Sequence, residues 1–201
     1  MQKKIKRMNT GMFLGIFLFT TISQVIQLMM GIVIFSIISN DNYSMLSEIS
    51  NNRHIMLLFW GYFFSVLGIW LICVILFHYR MWAAIHDEYV NTPPAIAVLR
   101  LFIPIYNIYW MFNLYPDFVE YYEMYLNRNN IEVPPFKPLA HRVFPKLILA
   151  IVILDVLTRF LPFLFIHAGL FNLAVFIVFL VVVYRTCTAV NALADAVERG
   201  S

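Results

Sequence analysis

The sequence predicts an all-α integral membrane protein with four transmembrane helices and one broken helical segment that re-enters the membrane or lies at its interface. Three observations predict this class. Hydrophobic residues make up 62% of the 201 residues and charged residues only 12%, about half the share of an average soluble domain. Aromatic residues reach 17%, as expected of a chain solvated by lipid and its interface. Long apolar runs alternate with short polar stretches along one membrane domain.

The first two predicted spans cover about residues 11–38 and 54–79. The chain begins with a basic stretch of Lys3, Lys4, Lys6 and Arg7. The apolar run that follows is far longer than a signal-peptide core of about 7–15 residues, and no small-x-small cleavage site closes it, so we expect an uncleaved helix. The second span ends in aromatic and basic residues, which is typical of a cytoplasmic interface.

Residues 93–114 form the stretch on which the predicted topology depends. The stretch is apolar, yet it carries residues that a plain spanning helix does not need: Pro93, Arg100, Pro104, Asn107, Tyr109 and Trp110. Pro104 removes a backbone donor, and Asn107 favours local hydrogen bonds outside a helix. We therefore expect a re-entrant hairpin or a kinked interfacial helix, and an ordinary kinked spanning helix is the alternative.

The distribution of basic residues favours the four-span topology. If residues 93–114 do not cross, all of the 14 Lys and Arg residues except Arg53 and Arg159 lie on the inner side or at its interface. If they do cross, fewer than half of the 14 lie there. Because basic residues are retained on the cytoplasmic side, we expect both termini in the cytoplasm of a bacterial inner membrane.

One local pattern resembles a family. The runs YRMWAAIHD and TPPAIAVLRLFIPIYNIYWMF, followed by a Tyr-rich helix, resemble an uncharacterised bacterial membrane module, which in some members follows a GYF-like soluble domain. The matching positions are Trp82, Ile85, Pro93, Ala95, Phe102, Ile103, Pro104, Asn107, Tyr109, Trp110 and Phe112. The Gly-Lys pair of that pattern is missing, and no GYF-like domain precedes the first span. The resemblance covers about a quarter of the chain and implies a multi-span architecture without implying an activity.

Residues 115–128 predict a short amphipathic helix on the cytoplasmic side, and the prolines of residues 129–145 predict an extended linker. Aromatic residues recur at helical spacing on the helix, while the linker is basic and should be attracted to anionic headgroups. The helix either lies on the interface or docks a partner. The candidate interface face consists of Phe118, Tyr122, Tyr125, Lys137 and Arg142.

The last two predicted spans cover residues 147–166 and 170–189, and a candidate polar centre lies within the membrane. Asp155 and Arg159 are four residues apart on one helical face, the favoured spacing for an ion pair. Ionised groups at this depth cost about 2.5–3.5 kcal/mol each on insertion scales, so they should pair in the bundle interior. Gln24 and Gln27 share a face of the first span at a similar depth, where interhelical hydrogen bonding is the alternative to a functional role.

The sequence carries no familiar catalytic or cofactor motif. It contains no Gly-rich phosphate loop, no cysteine pairs at zinc spacing, no H-E-x-x-H and no G-x-S-x-G. Cys73 and Cys187 lie in or beside apolar runs and predict buried free thiols. We therefore expect no catalytic residue, no cofactor, no metal and no nucleic-acid partner.

Three functional hypotheses remain open. The first is a homo-oligomeric module whose polar seam forms a pore or conduction path. The second is a membrane-anchored adaptor or accessory protein, for example in a stress or phage-defence system, that recruits a cytoplasmic protein or lipid. The third is a transporter or intramembrane enzyme centred on Asp155. Four spans leave little room for the third within one subunit, and no inverted repeat is visible.

Overall fold

The computed structural model describes residues 5–39, 53–87, 90, 92–134, 136, 138–160 and 165–200, and all regular structure in these residues is helical. The helices are α1 (Thr10–Ser39), α2 (Arg53–Ile85), α3 (Pro94–Leu99), α4 (Pro104–Asn129), α5 (Leu139–Phe160) and α6 (Phe165–Gly200). A 3-10 turn at Arg100–Phe102 follows α3. The chain divides into two compact units: unit 1 contains Met1–Leu14 and Ile75–Ser201, and unit 2 contains Gly15–Val74.

Three helices are longer than a membrane crossing requires. α1, α2 and α6 contain 30, 33 and 36 residues, which gives lengths of roughly 45, 50 and 54 Å against a hydrocarbon core of about 30 Å. Among the described residues, Trp60–Ile85 and Phe171–Arg199 are long and apolar enough to cross a membrane, and Thr10–Ser23 is a shorter apolar stretch. The all-helical prediction is thus confirmed for the described residues, while the count of four spans stays a prediction.

Large apolar side chains are exposed along the helices of unit 2. Phe64 and Ile72 of α2, for example, are 61% and 60% exposed. The middle of α5 and α6 in unit 1 shows the same property, with Ile153 and Ile177 exposed. Such continuous apolar surface is unusual on a soluble monomer and is suited to contact with lipid or another helix.

A packed core lies in unit 1, where the end of α2, the second half of α4, the start of α5 and the end of α6 meet. Its largest side chains, Trp82, Phe118, Tyr122 and Leu193, are almost completely buried. The first residues of α1 join this core, because the ring of Phe13 packs edge-on against that of Phe77 with centroids 5.4 Å apart. Unit 1 therefore has a core of the kind found in small helical domains.

The segment at residues 93–114 is broken next to Pro104, at Ile103. Ile103 is extended, with φ −87° and ψ 112°, as is common for a residue that precedes proline. Pro104 occupies the first turn of α4, where its missing N–H has no helical acceptor and therefore costs nothing. Pro104 thus starts a helix and does not interrupt one.

Two predicted boundaries are wrong. α4 runs without a break past residue 115. The aromatic end of residues 93–114 and the predicted amphipathic helix 115–128 are therefore one helix, and Pro116 lies inside it. α5 begins at Leu139, so residues 139–145 are helical and not part of an extended linker. Pro145 removes one helical hydrogen bond, a cost that burial of neighbouring side chains offsets.

Candidate functional site

The most distinctive cluster in unit 1 is a set of buried polar side chains, which we call the histidine core: His78, Tyr115, His141 and Thr186. His141 and Thr186 are completely buried, and His141 Nε2 lies 2.8 Å from Thr186 Oγ1. His78 Nε2 lies 3.0 Å from the Tyr115 hydroxyl oxygen. These two pairs join α2 to α4 and α5 to α6 through hydrogen bonds inside an apolar environment.

Aromatic rings enclose His141. The imidazole packs edge-on against Phe136, with ring centroids 4.8 Å apart, and stacks on Phe118 at 6.5 Å. Tyr115 approaches from a third side, with its ring centroid 6.1 Å from that of His141. The ring is therefore held by its surroundings as well as by its hydrogen bond to Thr186.

Burial favours the neutral form of His141. Burial first, and the positive charge of Arg185 second, lower the pKa of His141 from its ordinary value of 6.5 to about 3. Burial likewise raises the pKa of the Tyr115 hydroxyl. Among the described residues His141 Nδ1 has no hydrogen-bond partner. The buried His141 ring thus contributes to packing and, through Thr186, to the alignment of α5 with α6.

A second group of hydrogen bonds ties the N-terminal segment to α6. The Met8 N–H donates to Asn191 Oδ1 at 2.7 Å, and Asn191 Nδ2 donates back to the Met8 carbonyl oxygen at 3.0 Å. Arg7 Nη2 lies 2.8 Å from both Asp195 Oδ1 and Glu198 Oε2. The ion pairs are exposed and contribute little on their own, so the part-buried reciprocal pair carries the connection.

Tyr122 makes the corresponding link from α4 to α6. Its hydroxyl donates to the Ala189 carbonyl oxygen at 3.0 Å, and burial raises the pKa of Tyr122 to about 12. The Ala189 carbonyl oxygen has two lone pairs, so it can accept this hydrogen bond in addition to the one within α6. The bond fixes the position of α4 along α6.

The end of α2 is joined to the end of α4 through Asp87. Its Oδ2 accepts from Arg128 Nη1 at 3.1 Å, and its Oδ1 accepts from the Val90 N–H at 3.0 Å. A cavity of about 80 Å³ lies beside this pair; it is lined by Asp87, Val90, Tyr121, Met124, Tyr125 and Arg128. Small-molecule sites usually measure about 300–1,000 Å³, so this cavity has room for water and not for a substrate.

The predicted site residues lie on different helices. Gln24 and Gln27 lie in α1, and Asp155 and Arg159 lie in α5, but their side chains are outside the described residues, so the polar centre stays a prediction. Within the predicted broken segment, residues 93–114, Pro93 precedes α3, and Arg100 Nη1 donates to Thr92 Oγ1 at 3.4 Å. The remaining residues begin α4, with side chains outside the described part: Pro104, Asn107, Tyr109 and Trp110.

The predicted interface face is corrected by the burial of its aromatic residues. Phe118, Tyr122 and Tyr125 are buried in the core of unit 1, so this stripe packs inside the protein and is not available to a partner. Arg142 is exposed in the first turn of α5, and Lys137 lies outside the described residues.

Sequence reasoning missed His78 and His141 as core residues, since it placed the first at the interface and the second in a basic linker. The sequence does contain a signal for His141. Phe144 and Ile148 follow it by three and seven residues, and this spacing puts all three on one face of a helix that starts before Pro145.

The described residues contain no group of three His, Cys, Asp or Glu side chains that could hold a metal ion. Cys73 and Cys187 are buried and form no disulfide, as predicted. No protein-family model matches the chain, and no curated protein and no solved structure matches it either. The resemblance to the bacterial membrane module therefore stays a prediction.

Proposed function

We propose that this chain is a multi-pass membrane protein that serves as a membrane-anchored adaptor. In this proposal its apolar helices cross the bacterial inner membrane four times and hold the packed part of unit 1 at the cytoplasmic surface. The observation that carries the proposal is the convergence of the segment around Met8 with the ends of α2, α4 and α6 in one packed core.

Chain connectivity supports an even number of crossings. α1 begins in unit 1, and α2 ends in unit 1. α5 and α6 pack antiparallel, since His141 meets Thr186 and Phe144 stacks on Phe179. The reciprocal Met8–Asn191 pair brings the start of α1 to the end of α6. Retention of basic residues then places this body in the cytoplasm.

The closed core supports a binding role in preference to catalysis. The titratable rings of the histidine core are buried, and the cavity beside Asp87 is too small for a substrate. The surface of α4 that points away from the core is exposed and acidic: it carries Glu120, Glu123 and Asn127. Burial, followed by the charge of Glu120, raises the pKa of Asp117. A partner that brings Lys or Arg residues to this surface would relieve the repulsion between these carboxylates.

A specific observation also favours lateral assembly as a second function. Gly61, Ser65 and Gly68 lie on one face of α2, and a methyl group added at either glycine meets open space. Phe64 flanks these small residues and is exposed. Small residues beside large ones are typical of helix–helix interfaces in membranes.

One crosslinking experiment tests both proposals. A photo-crosslinking residue replaces either Asn127, on the acidic surface of α4, or Phe64, on the exposed face of α2. The full-length protein is then irradiated in native membranes, and the masses of the adducts are measured. The adaptor proposal predicts an adduct with a different protein at Asn127 that disappears in the Glu120→Gln/Glu123→Gln variant. The assembly proposal predicts an adduct of twice the mass of the chain at Phe64.

Two results would count against these functions. Lipid adducts alone at both positions would overturn the adaptor and the oligomer together. A protein adduct at Asn127 that persists in the Glu120→Gln/Glu123→Gln variant would show that the partner contacts α4 without recognising its acidic side chains. The thermal unfolding of this variant serves as the control, because both side chains are exposed and their replacement should change stability by less than about 0.5 kcal/mol.

A further inference from the structure

One face of α5 changes from basic to apolar along its length. Arg142, Lys146, Ala150, Ile153 and Leu157 follow one another at intervals of four, four, three and four residues, which keeps all five on one face of the helix. The two basic side chains are exposed. The face thus joins a charged end to an apolar middle.

The apolar part of this face borders a cleft between α5 and α6. The cleft measures about 330 Å³ and is lined by Ala150, Ile153, Leu154, Leu157 and Phe171. It begins one turn beyond Lys146, which is about 6 Å along the helix axis, and extends over about 10 Å to Leu157. The cleft is largely open at the helix surface, and the described residues of its lining offer no polar side chain.

Within the described part of the chain, Arg142 and Lys146 form no ion pair.

We infer that α5 and α6 bind one anionic glycerophospholipid of the cytoplasmic leaflet. Its phosphate lies against Arg142 and Lys146, and an acyl chain lies in the cleft. This inference rests on the proposed topology, which puts the basic end of the cleft at the cytoplasmic interface, where basic pockets between helices attract anionic headgroups.

The arrangement of charge and apolar surface selects this ligand over other occupants. A phospholipid carries its phosphate immediately above its acyl chains, which matches cations one turn above an apolar cleft. A second copy of the chain, docked symmetrically through this face, would bring two sets of cations together without counter-charges. A soluble phosphate would use the cations and leave the cleft unfilled.

Native mass spectrometry of the full-length protein in detergent tests the inference. The protein is mixed with phosphatidylglycerol or with phosphatidylcholine of identical acyl chains, and the lipid-bound fraction is measured. We expect at least tenfold stronger retention of phosphatidylglycerol. Arg142→Gln/Lys146→Gln should reduce that retention to the level of phosphatidylcholine. Ala150→Phe, which fills the cleft and leaves the charges in place, should do the same.

The matched control is Lys6→Gln/Arg199→Gln, which removes the same charge from exposed residues at the two ends of the chain and should retain the lipid like the wild type. Equal retention of the two lipids would overturn the inference. Full retention by Ala150→Phe would show that the charges alone attract the lipid and that the cleft holds no acyl chain. Full displacement of the lipid by glycerol 3-phosphate would show that the cations bind a soluble phosphate. Either result overturns the lipid site.

Failure of the topology is distinguishable from failure of the lipid site. Retention in detergent does not depend on orientation in a membrane, so a wrong topology leaves the selectivity for phosphatidylglycerol intact and appears only in labelling from the cell exterior. Loss of selectivity with the correct labelling pattern contradicts the lipid site alone.

Discussion

His141 illustrates how a single titratable residue can couple unit 1 to pH. The imidazole is completely buried, hydrogen-bonded to Thr186 and surrounded by aromatic rings. Its folded-state pKa of about 3 lies well below the ordinary value of 6.5. Between these two pH values the unfolded state binds one proton more than the folded state, so stability falls as the pH falls through this range.

We expect His141→Phe to reduce this dependence of stability on pH. The wild type should lose up to about 1.4 kcal/mol of unfolding free energy per pH unit below pH 6.5 through this residue alone. The phenyl ring fits the aromatic surroundings but does not titrate. The unfolding free energy of the variant should therefore fall at low pH only by the contribution of the carboxylates. Denaturant unfolding in detergent at pH 7.5, 6.5, 5.5 and 4.5 measures the difference.

Thr186→Val separates the titration from the hydrogen bond. It leaves His141 buried and titratable but removes the partner of Nε2, which should cost about 1–3 kcal/mol at every pH. Its pH profile should therefore be lower than that of the wild type and parallel to it. A parallel profile for His141→Phe as well would show that His141 is already charged, or accessible to protons, in the folded protein.

The helices are defined by their ends more than by their prolines. Pro104 starts α4, whereas Pro116 and Pro145 lie inside α4 and α5. The end of α4 is specific: Asn130 has φ 51° and ψ 42°, and the Ile131 N–H donates to the Leu126 carbonyl oxygen at 3.0 Å. This is the Schellman arrangement, in which one left-handed residue ends a helix. Arg128 beside it joins the same end to Asp87.

Substitution of Asn130 should report on this helix end. Alanine disfavours the left-handed conformation and should destabilise unit 1 by about 1 kcal/mol, whereas glycine adopts it freely and should be neutral or slightly stabilising. Asn127→Ala is the control, because Asn127 is equally exposed but lies in the helix. Denaturant unfolding in detergent ranks the three variants. If glycine proved as costly as alanine, the asparagine side chain and not the backbone conformation would be responsible.

For the molecule as a whole, the main expectation is a topology with both termini and α4 in the cytoplasm. It is tested by single cysteines in a Cys73→Ser/Cys187→Ala background, labelled in intact cells with a membrane-impermeant thiol reagent. Cysteines at Asn129 and Ser201 should be protected until the membrane is opened. Cysteines at Ser44 and His167, in the predicted outer loops, should react at once.

The two sets of positions check each other. Labelling at Asn129 together with protection at Ser201 would mean that residues 93–114 cross the membrane and α5 and α6 do not form a hairpin. That result contradicts the four-span arrangement, and it is incompatible with the packing of α4 against α6 through Tyr122 and Ala189.

Composition and apolar run length were enough to predict an all-helical chain with membrane helices, since lipid solvation demands long apolar segments whatever their partners. The same local signals placed the break near Pro104 and the two cysteines among buried residues. They did not place the continuous α4 or the early start of α5. In both cases the cost of an internal proline is offset by contacts with residues distant in the chain.

The histidine core and the burial of the aromatic stripe depended on the tertiary structure for the same reason. A stripe such as Phe118, Tyr122 and Tyr125 has one sequence signature whether it meets lipid, a partner or its own core. Only packing against the ends of α2, α5 and α6 distinguishes these outcomes. Likewise His141 is an ordinary basic residue in the sequence, and it becomes a neutral buried one because residues more than 20 positions away exclude water from it.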